Sequence, residues 1–277
     1  MKKILTIQDI SCVGKCSLTV ALPIISAMGV EAAILPTAVL STHTMFQNFQ
    51  VRDLTDTVVP FSNHWKNEGI VFDGLYTGYL GSFDQIDLMK KLFDDFRTAS
   101  NFTFVDPAMA DNGKLYPAFD EAFAKYMATL CAKADYIVPN ITEACFMTGT
   151  EFKTEYDETY AKELLQKLAK LGAKVCILTG VGFRDGFTGV MGYDTHTGEY
   201  YYYEHEKIPV SFHGTGDIFS STCVGALVRG LSWQEAIQIA ADYTAHCIRL
   251  TMDDPSKPWY GVNFEQAIPY LVKRLEK

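Results

Sequence analysis

Extended apolar segments alternate with amphipathic helical segments along nearly the whole of this 277-residue chain. Strand-like runs begin at Lys3–Gln8 and recur at Phe102–Val105 and Val175–Leu178, with stretches of helical periodicity between them. Because parallel strands need a long crossover, this alternation predicts a three-layer α/β/α fold with a mostly parallel central sheet. No linker, repeat or low-complexity segment divides the sequence, so we expect a single domain over residues 1–277.

Several element boundaries follow from local sequence signals. Ser82 is a typical N-cap for a helix over Phe83–Arg97, and Gly29 suits the end of a helix over Lys15–Met28. A strand-like run at Ile208–Phe212 precedes the C-terminal helices. The C-terminal part of the chain predicts a β-hairpin and then three helices, over Phe187–Tyr193 with Glu199–Glu204, Asp217–Arg229, Trp233–Met252 and Phe264–Leu275.

The chain is acidic, with 33 Asp and Glu residues against 24 Lys and Arg residues and a formal charge of −9. No run of basic residues is longer than a pair, which argues against binding to nucleic acid or to an anionic membrane. No apolar stretch approaches the roughly 20 residues of a membrane-spanning helix. The seven cysteines are scattered, a pattern typical of reduced and buried thiols, so we expect a cytoplasmic protein.

Polar residues stand where several of the predicted strands end. In open parallel sheets, ligands bind beyond the carboxyl ends of the strands. The residues at those ends are Asp9, Asp106, Asn140 and Thr179. We therefore expect the functional site to include these residues.

The motif Gly214-Thr215-Gly216-Asp217 carries the strongest chemical signal in the sequence. Its glycines allow a tight turn and close approach to a ligand, and the free amides of the following helix suit an anion. A carboxylate at Asp217 would lie beside a bound phosphate, where it can accept a proton from an attacking hydroxyl group. The alternative is a simple turn in which Asp217 is the N-cap of a helix.

Asn140 and Glu143 form a second candidate, three residues apart after a predicted strand. The same spacing is typical of a capping box, in which the two side chains only close the start of a helix. Asp106 either ends a strand or contributes a carboxylate to a site for a hard cation. The position of His43 favours a hydrogen-bonded structural role, whereas Tyr79 either stacks on a flat substrate ring or covers the core.

Three common motifs are absent from the sequence. There is no Gly-x-x-x-x-Gly-Lys-Ser/Thr loop, and Gly180-Val181-Gly182 lacks the third glycine of a dinucleotide-binding motif. Gly-x-Ser-x-Gly is also missing, which disfavours an α/β-hydrolase.

Seven short segments, taken in order along the chain, point to one family. They are Thr6-Ile7-Gln8, Val13-Gly14, Ser41-Thr42-His43-Thr44, Gly78-Tyr79-Leu80-Gly81-Ser82, Asp106-Pro107 with Asp111, Pro139-Asn140 with Glu143, and Gly214-Thr215-Gly216-Asp217. Together they resemble the ribokinase-like superfamily and, within it, the vitamin B6 kinases. The resemblance covers essentially the whole chain and implies ATP-dependent phosphorylation of the 5′-hydroxymethyl group of pyridoxal, pyridoxine or pyridoxamine.

The resemblance also implies how the phosphoryl group is transferred. Asp217 would contact the substrate and remove the proton of its 5′-hydroxyl group. Gly214, Thr215 and Gly216 would form an anion hole whose amides neutralise charge on the transferring phosphoryl group.

For the nucleotide and the metal, the resemblance implies a second set of residues. Asp106, Asn140 and Glu143 would belong to the phosphate region, with Asp106 and Glu143 beside Mg²⁺. Thr179 matches a position that contacts the nucleotide. These residues imply ATP and Mg²⁺ as cofactors and leave dependence on a monovalent cation open.

Thr44 and Tyr79 match positions that hold the pyridine ring of the substrate, by a hydrogen bond and by stacking. Asp9 stands where pyridoxal kinases usually have a serine that contacts the ring. An Asp facing a ring nitrogen would favour the protonated ring. By the same resemblance, a homodimer is expected.

Two departures concern the substrate. His213 before the glycine turn resembles the hydroxymethylpyrimidine kinases, but those enzymes have a cysteine where this chain has Asp217. Ser211 replaces an aspartate of the sugar kinases, which disfavours a sugar. The alternatives that remain are a hydroxymethylpyrimidine kinase of thiamine biosynthesis and a non-catalytic protein that binds a vitamer or a nucleotide.

Overall fold

The computed structural model describes residues 1–276. Its strands are β1 Lys3–Val13, β2 Glu31–Thr42, β3 Val51–Asp53, β4 Gly74–Thr77, β5 Phe102–Val105, β6 Ala110–Asp111, β7 Lys114–Leu115, β8 Tyr136–Ile137, β9 Val175–Val181, β10 Phe187–Asp194 and β11 Tyr200–Glu206. Its α-helices are α1 Leu18–Ala27, α2 Val58–Asn67, α3 Phe83–Phe96, α4 Glu121–Cys131, α5 Ile141–Thr148, α6 Glu158–Ala169, α7 Thr215–Val228, α8 Trp233–Asp253 and α9 Phe264–Leu275. The chain divides into two compact units, and the first contains Met1–Tyr76 and the segment from Ile208 onward, while the second contains Thr77–Lys207.

In the first unit the strands lie in the order β4, β1, β2 and β3. β1 and β2 are parallel, and β3 runs antiparallel to β2. The residues from Ile4 to Asp9 are all buried, as expected for a strand covered on both faces. The register shifts after Gln8, so that Thr37 and Ala38 of β2 stand opposite the single residue Asp9. This local bulge lies at the first of the candidate site residues.

Helix α7 forms the centre of the helical packing in the first unit. Ten of its fourteen residues are buried, because it packs against both α1 and α8. Gly225 permits the close approach to α1, since a Cβ there would meet the side chain of Met28. The buried helix fixes the position of the glycine turn that precedes it.

In the second unit the strands lie in the order β11, β10, β9, β8 and β5. β5, β8 and β9 are parallel, and β10 and β11 form the predicted antiparallel hairpin. Asp135 immediately precedes β8 and is only 5% exposed. Its carboxylate pairs with Arg97 Nη2 at 2.5 Å and Lys174 Nζ at 2.7 Å, and it accepts a bond from the Thr103 amide at 2.8 Å.

Some of the predicted helix and strand boundaries agree with the structure, and others differ. The cap at Ser82 and the helix over Phe264–Leu275 are confirmed. The strand predicted over Ile208–Phe212 is wrong, because that segment has irregular structure and Pro209 cannot donate to a sheet. The strand predicted over Lys3–Gln8 continues through Val13. In residues 1–276, no helix is both long and apolar enough to cross a membrane.

Candidate active site

The glycine turn opens α7, and no side chain occupies the amides of the first turn of this helix. Gly214 is the N-cap, with φ at 84° in the left-handed region, and no side chain caps the helix. Asp217 is the third residue of the helix and is half-buried, so the alternative in which it serves as the N-cap is wrong. The amides of a first helical turn have no acceptor within the helix and carry partial positive charge. The turn therefore has the geometry of an anion site with a carboxylate beside it.

A second constraint requires glycine at this turn. A Cβ at Gly214 would collide with the carbonyl oxygen of Lys15, just before α1. The turn therefore packs directly on the backbone that leads into α1. Lys15 itself bonds to Glu265 Oε2 at 2.6 Å through its ammonium group. This contact was not predicted from the sequence, where nothing marks Lys15.

Asp9 is 4% exposed and is held by two serine hydroxyl groups. Ser17 Oγ donates to one carboxylate oxygen at 2.6 Å, and Ser11 Oγ donates to the other at 3.0 Å. Burial raises the pKa of Asp9, and the two serine bonds oppose this effect. Ser17 has φ at 52°, an uncommon conformation for a residue other than glycine. Nothing in the sequence marks Ser17 as a partner of Asp9.

The buried thiol of Cys16 is influenced by both Asp9 and Asp217. Burial raises the pKa of its thiol, and the negative charge of Asp217 and then that of Asp9 raise it further. Both carboxylates therefore lie within electrostatic range of the same buried thiol, and the structure brings Asp9 and Asp217 together in the first unit. A thiol that stays protonated in this environment is a poor nucleophile.

His43 has a structural role, as the sequence favours. It is 2% exposed, its Nδ1 accepts a bond from the Met45 amide at 3.2 Å, and its Nε2 donates to the Tyr260 carbonyl at 2.9 Å. These two bonds assign the neutral tautomer with the proton on Nε2. The neighbouring Thr44 is exposed at the turn after β2.

His213, immediately before the glycine turn, packs on His43. The two ring centroids are 4.3 Å apart with an angle of 42° between the planes. Burial lowers the pKa of His213 to about 4. His213 is therefore neutral at physiological pH and adds no positive charge to the anion site.

The low pKa of His213 predicts that the folded protein loses stability in acid. The variant His213→Gln should lose less stability than wild type over the same pH range. Below pH 6.5 the unfolded histidine binds a proton that the folded one does not bind until about pH 4. The free energy of unfolding should therefore fall by up to about 3 kcal/mol between these pH values. Urea unfolding at pH 7.5 and pH 5 would measure the difference. The exposed His196→Gln is the control, and an equal pH dependence in wild type and His213→Gln would contradict the prediction.

In the second unit, Asn140 and Glu143 form the capping box of α5. Asn140 Oδ1 accepts from the Glu143 amide at 2.9 Å, and Glu143 Oε2 accepts from the Asn140 amide at 2.8 Å. Glu143 Oε1 also accepts from the Met109 amide at 3.0 Å, and Asn140 Nδ2 donates to the Ala110 carbonyl at 2.8 Å. The capping interpretation is confirmed, and the same bonds connect α5 to the segment that follows β5.

Asp106 lies close enough to Glu143 to affect its ionisation. Burial and the negative charge of Asp106 raise the pKa of Glu143 to about 8, against the effect of the backbone bonds. Two buried carboxylates in this relation favour a bound cation, which would offset their repulsion. Among the described residues, no group of three or more His, Cys, Asp and Glu side chains could hold a metal. Mg²⁺ needs only one or two carboxylates when phosphate oxygens and water complete its shell, so the pair fits this ion.

Thr179 and Tyr79 also lie in the second unit. Thr179 forms a parallel bridge with Asn140, and its amide donates to the Pro139 carbonyl at 3.0 Å, so it lies beside the capping box. Tyr79 is half-buried, and its ring centroid lies 5.5 Å from that of Phe119. After Thr179, a cavity of about 330 Å³ is lined by residues that include Gly180, Tyr156, Phe183, Arg184 and Lys207.

The candidate residues thus fall into two groups, one in each unit. The first unit brings together Asp9 and the turn from Gly214 to Asp217, with Thr44 next to His43. The second brings together Asp106, Asn140, Glu143 and Thr179, with Tyr79 packed on Phe119. Sequence reasoning missed Ser11, Ser17, Cys16 and Phe119. Only the i, i+2 spacing of Asp9 and Ser11 in an extended strand could have indicated one of these contacts.

Comparison with known proteins gives one consistent family. The sequence profile of the phosphomethylpyrimidine kinase family matches residues 21–258. A candidate phosphomethylpyrimidine kinase from Bacteroides thetaiotaomicron, crystallised with pyridoxal, has a TM-score of 0.92 and 36% identity over 98% of this chain and 95% of its own. Pyridoxal kinase from Lactobacillus plantarum has a TM-score of 0.90 and 28% identity over 99% and 97%. Pyridoxine kinase from Bacillus subtilis is 30% identical over 187 residues, which are 66% of each chain.

These similarities confirm the predicted α/β fold with its mostly parallel sheet, and the resemblance to the ribokinase-like B6 kinases. The family profile matches most of the chain, and the glycine turn with its carboxylate lies within the matched residues. The protein therefore belongs to the phosphomethylpyrimidine kinase family and is an ATP-dependent kinase.

Proposed function

We propose that this kinase transfers the γ-phosphoryl group of ATP to the 5′-hydroxymethyl group of a vitamin B6 vitamer, which is pyridoxal, pyridoxine or pyridoxamine. The observation that carries the proposal is the half-buried carboxylate of Asp217 in the first turn of an uncapped helix that begins after Gly214. The names of the pyridoxal and pyridoxine kinases among the relatives, and the pyridoxal in the Bacteroides structure, support the choice of acceptor.

Asp217 acts as the general base. As the 5′ oxygen of the vitamer bonds to the γ-phosphorus atom, the bond from that phosphorus to the bridging oxygen of ADP breaks. The hydroxyl proton passes to the carboxylate of Asp217. The first-turn amides after Gly214 stabilise the negative charge that spreads over the transferring oxygens.

The nucleotide and its metal are assigned to residues of the second unit. Asp106 and Glu143 would hold Mg²⁺, which supplies positive charge to the phosphate oxygens when it is bound. Asn140 and Thr179 lie beside Glu143 and are assigned to the phosphates. The cavity after Thr179 offers aromatic rings and the cations of Arg184 and Lys207, which suit a nucleotide. An acidic protein can bind ATP in this way.

The acceptor ring is assigned to three further residues. Thr44, exposed after β2, is proposed to bond to the ring, and Tyr79 to stack on it. Both oxygens of Asp9 already accept serine bonds, so we assign Asp9 an electrostatic effect on the ring instead of a direct hydrogen bond to it. That effect favours a protonated ring nitrogen.

Glu143→Gln is expected to raise the Mg²⁺ concentration for half-maximal activity by about tenfold or more. The amide removes the charge and keeps one oxygen that can accept from the Asn140 amide, so the capping box should survive, while the bond from the Met109 amide is lost. A Mg²⁺ titration of initial rates at saturating ATP would measure the effect. Glu163→Gln, on the exposed face of α6, is the control. A titration identical to that of wild type would leave Glu143 with the capping role alone.

A panel of acceptors tests the proposed function. The purified enzyme with ATP and Mg²⁺ should form ADP with at least one of the three vitamers. The second candidate is phosphorylation of hydroxymethylpyrimidine, which the family profile and His213 before the turn favour. A kcat/KM for the pyrimidine above that for every vitamer would replace the proposal with this second candidate. No ADP with any acceptor would instead support a non-catalytic binding protein.

A further inference from the structure

Tyr79 occupies the short loop between β4 and α3. Glycines stand at Gly78 and Gly81, so no neighbouring Cβ from these two positions restricts the side chain. Within this loop, the Gly81 amide donates to Gln85 Oε1 at 2.8 Å. The orientation of the Tyr79 ring therefore depends on tertiary contacts.

Phe119 provides such a contact from a distant part of the second unit. Its ring centroid lies 5.5 Å from that of Tyr79, with 42° between the planes. Phe119 in turn stacks on Phe123, with centroids 4.1 Å apart and 9° between the planes. Phe123 is buried in the first turn of α4, whose N-cap Asp120 accepts the Phe123 amide at 2.8 Å. Tyr79 thus rests on a ring that is itself supported from the core.

The backbone that carries Phe119 is fixed as well. The Met109 amide donates to Glu143 Oε1 at 3.0 Å, and the Tyr116 amide donates to the Met109 carbonyl at 2.9 Å. The Phe119 amide then donates to the Tyr116 carbonyl at 2.9 Å. The backbone before Phe119 is held by the bonds that lead to Glu143, and the backbone after it is held by the N-cap of α4. An aromatic ring held in this way can define the plane of a ring packed on it.

We propose that Phe119 is a positioning residue that sets the ring plane of Tyr79 and thereby the affinity for the aromatic acceptor. This inference rests on the proposed role of Tyr79. A stacked aromatic contact depends on the offset and the angle of the two rings, so a Tyr79 ring released from Phe119 loses part of its contact with the acceptor. Chemistry at the hydroxyl group does not involve Phe119. Its removal should therefore change the KM for the acceptor more than kcat.

Phe119→Ala tests the inference against a matched control in the same aromatic cluster. Phe83 also packs on Phe123, at 5.5 Å between centroids, but it is 43% exposed and makes no ring contact with Tyr79. Phe119→Ala should raise the KM for the accepted ring by roughly three- to tenfold while the KM for ATP stays within about twofold of wild type. Phe119→Tyr should restore the wild-type KM, and Phe83→Ala should leave both constants unchanged.

Four results would overturn the inference. These are an unchanged acceptor KM in Phe119→Ala, an equal rise in both KM values, the same rise in Phe83→Ala, and a crystal structure of Phe119→Ala in which Tyr79 keeps its position. The last result is independent of the substrate. Wild-type turnover of the pyrimidine alone would instead contradict the vitamer proposal, and the same variants would then be compared with the pyrimidine as the acceptor.

Discussion

Asp217→Asn is expected to lower kcat by about two to four orders of magnitude, the usual contribution of a positioned general base. The amide keeps the size of the side chain but cannot accept the hydroxyl proton as the phosphoryl group arrives. Because Asp217 lies in the first turn of α7 and does not cap it, the substitution should leave the helix intact. Single-turnover rates with the preferred acceptor would measure the chemical step directly.

The KM values distinguish a lost base from a displaced substrate. A base acts in the transition state, so kcat and kcat/KM should fall together while the KM for ATP changes little. Asp253→Asn, at the exposed end of α8, controls for the loss of one negative charge from the same unit. Turnover within about threefold of wild type would remove Asp217 from the role of general base.

The fold could be predicted where periodicity and capping residues agree. The helix over Phe264–Leu275 has the predicted bounds, and Ser82 caps α3 through its hydroxyl group. The predicted end of the first strand is wrong. The polar residue Asp9 predicts that the strand ends there, yet β1 continues to Val13. Only Ser11, two residues further along the same strand, could have indicated the buried carboxylate, because its other partner, Ser17, lies beyond the strand.

The candidate site was predictable as a set of residues but only partly as an arrangement. The glycine turn stood out because glycine, a helix start and an acid coincide at Gly214–Asp217. That Gly214 contacts Lys15, or that Phe119 supports Tyr79, depends on how distant segments pack. Contacts of this kind follow from tertiary structure and not from local pattern. The sequence therefore indicates the candidate residues, and the structure adds the contacts that hold them.

Gly214→Ala is expected to reduce both activity and stability, because two independent constraints coincide at this residue. Its φ of 84° is unfavourable for alanine, and the added Cβ would collide with the Lys15 carbonyl oxygen. The turn must shift away from α1, which displaces the first-turn amides from the phosphoryl group. Loss of such donors typically lowers kcat by about two to three orders of magnitude. Initial rates and urea unfolding would measure the two effects.

Gly230→Ala separates the effect of the steric collision from the effect of the positive φ angle. Gly230 follows the other end of α7 with φ at 91°, but a Cβ there would meet nothing within 4 Å. It should therefore lose only about 1 kcal/mol of unfolding free energy and keep the wild-type kcat. If Gly214→Ala lost no more stability than Gly230→Ala and kept its kcat, the contact with Lys15 would be irrelevant and the amides after Gly214 would not form the anion hole. A large fall in kcat confined to Gly214→Ala would instead assign the turn to phosphoryl transfer.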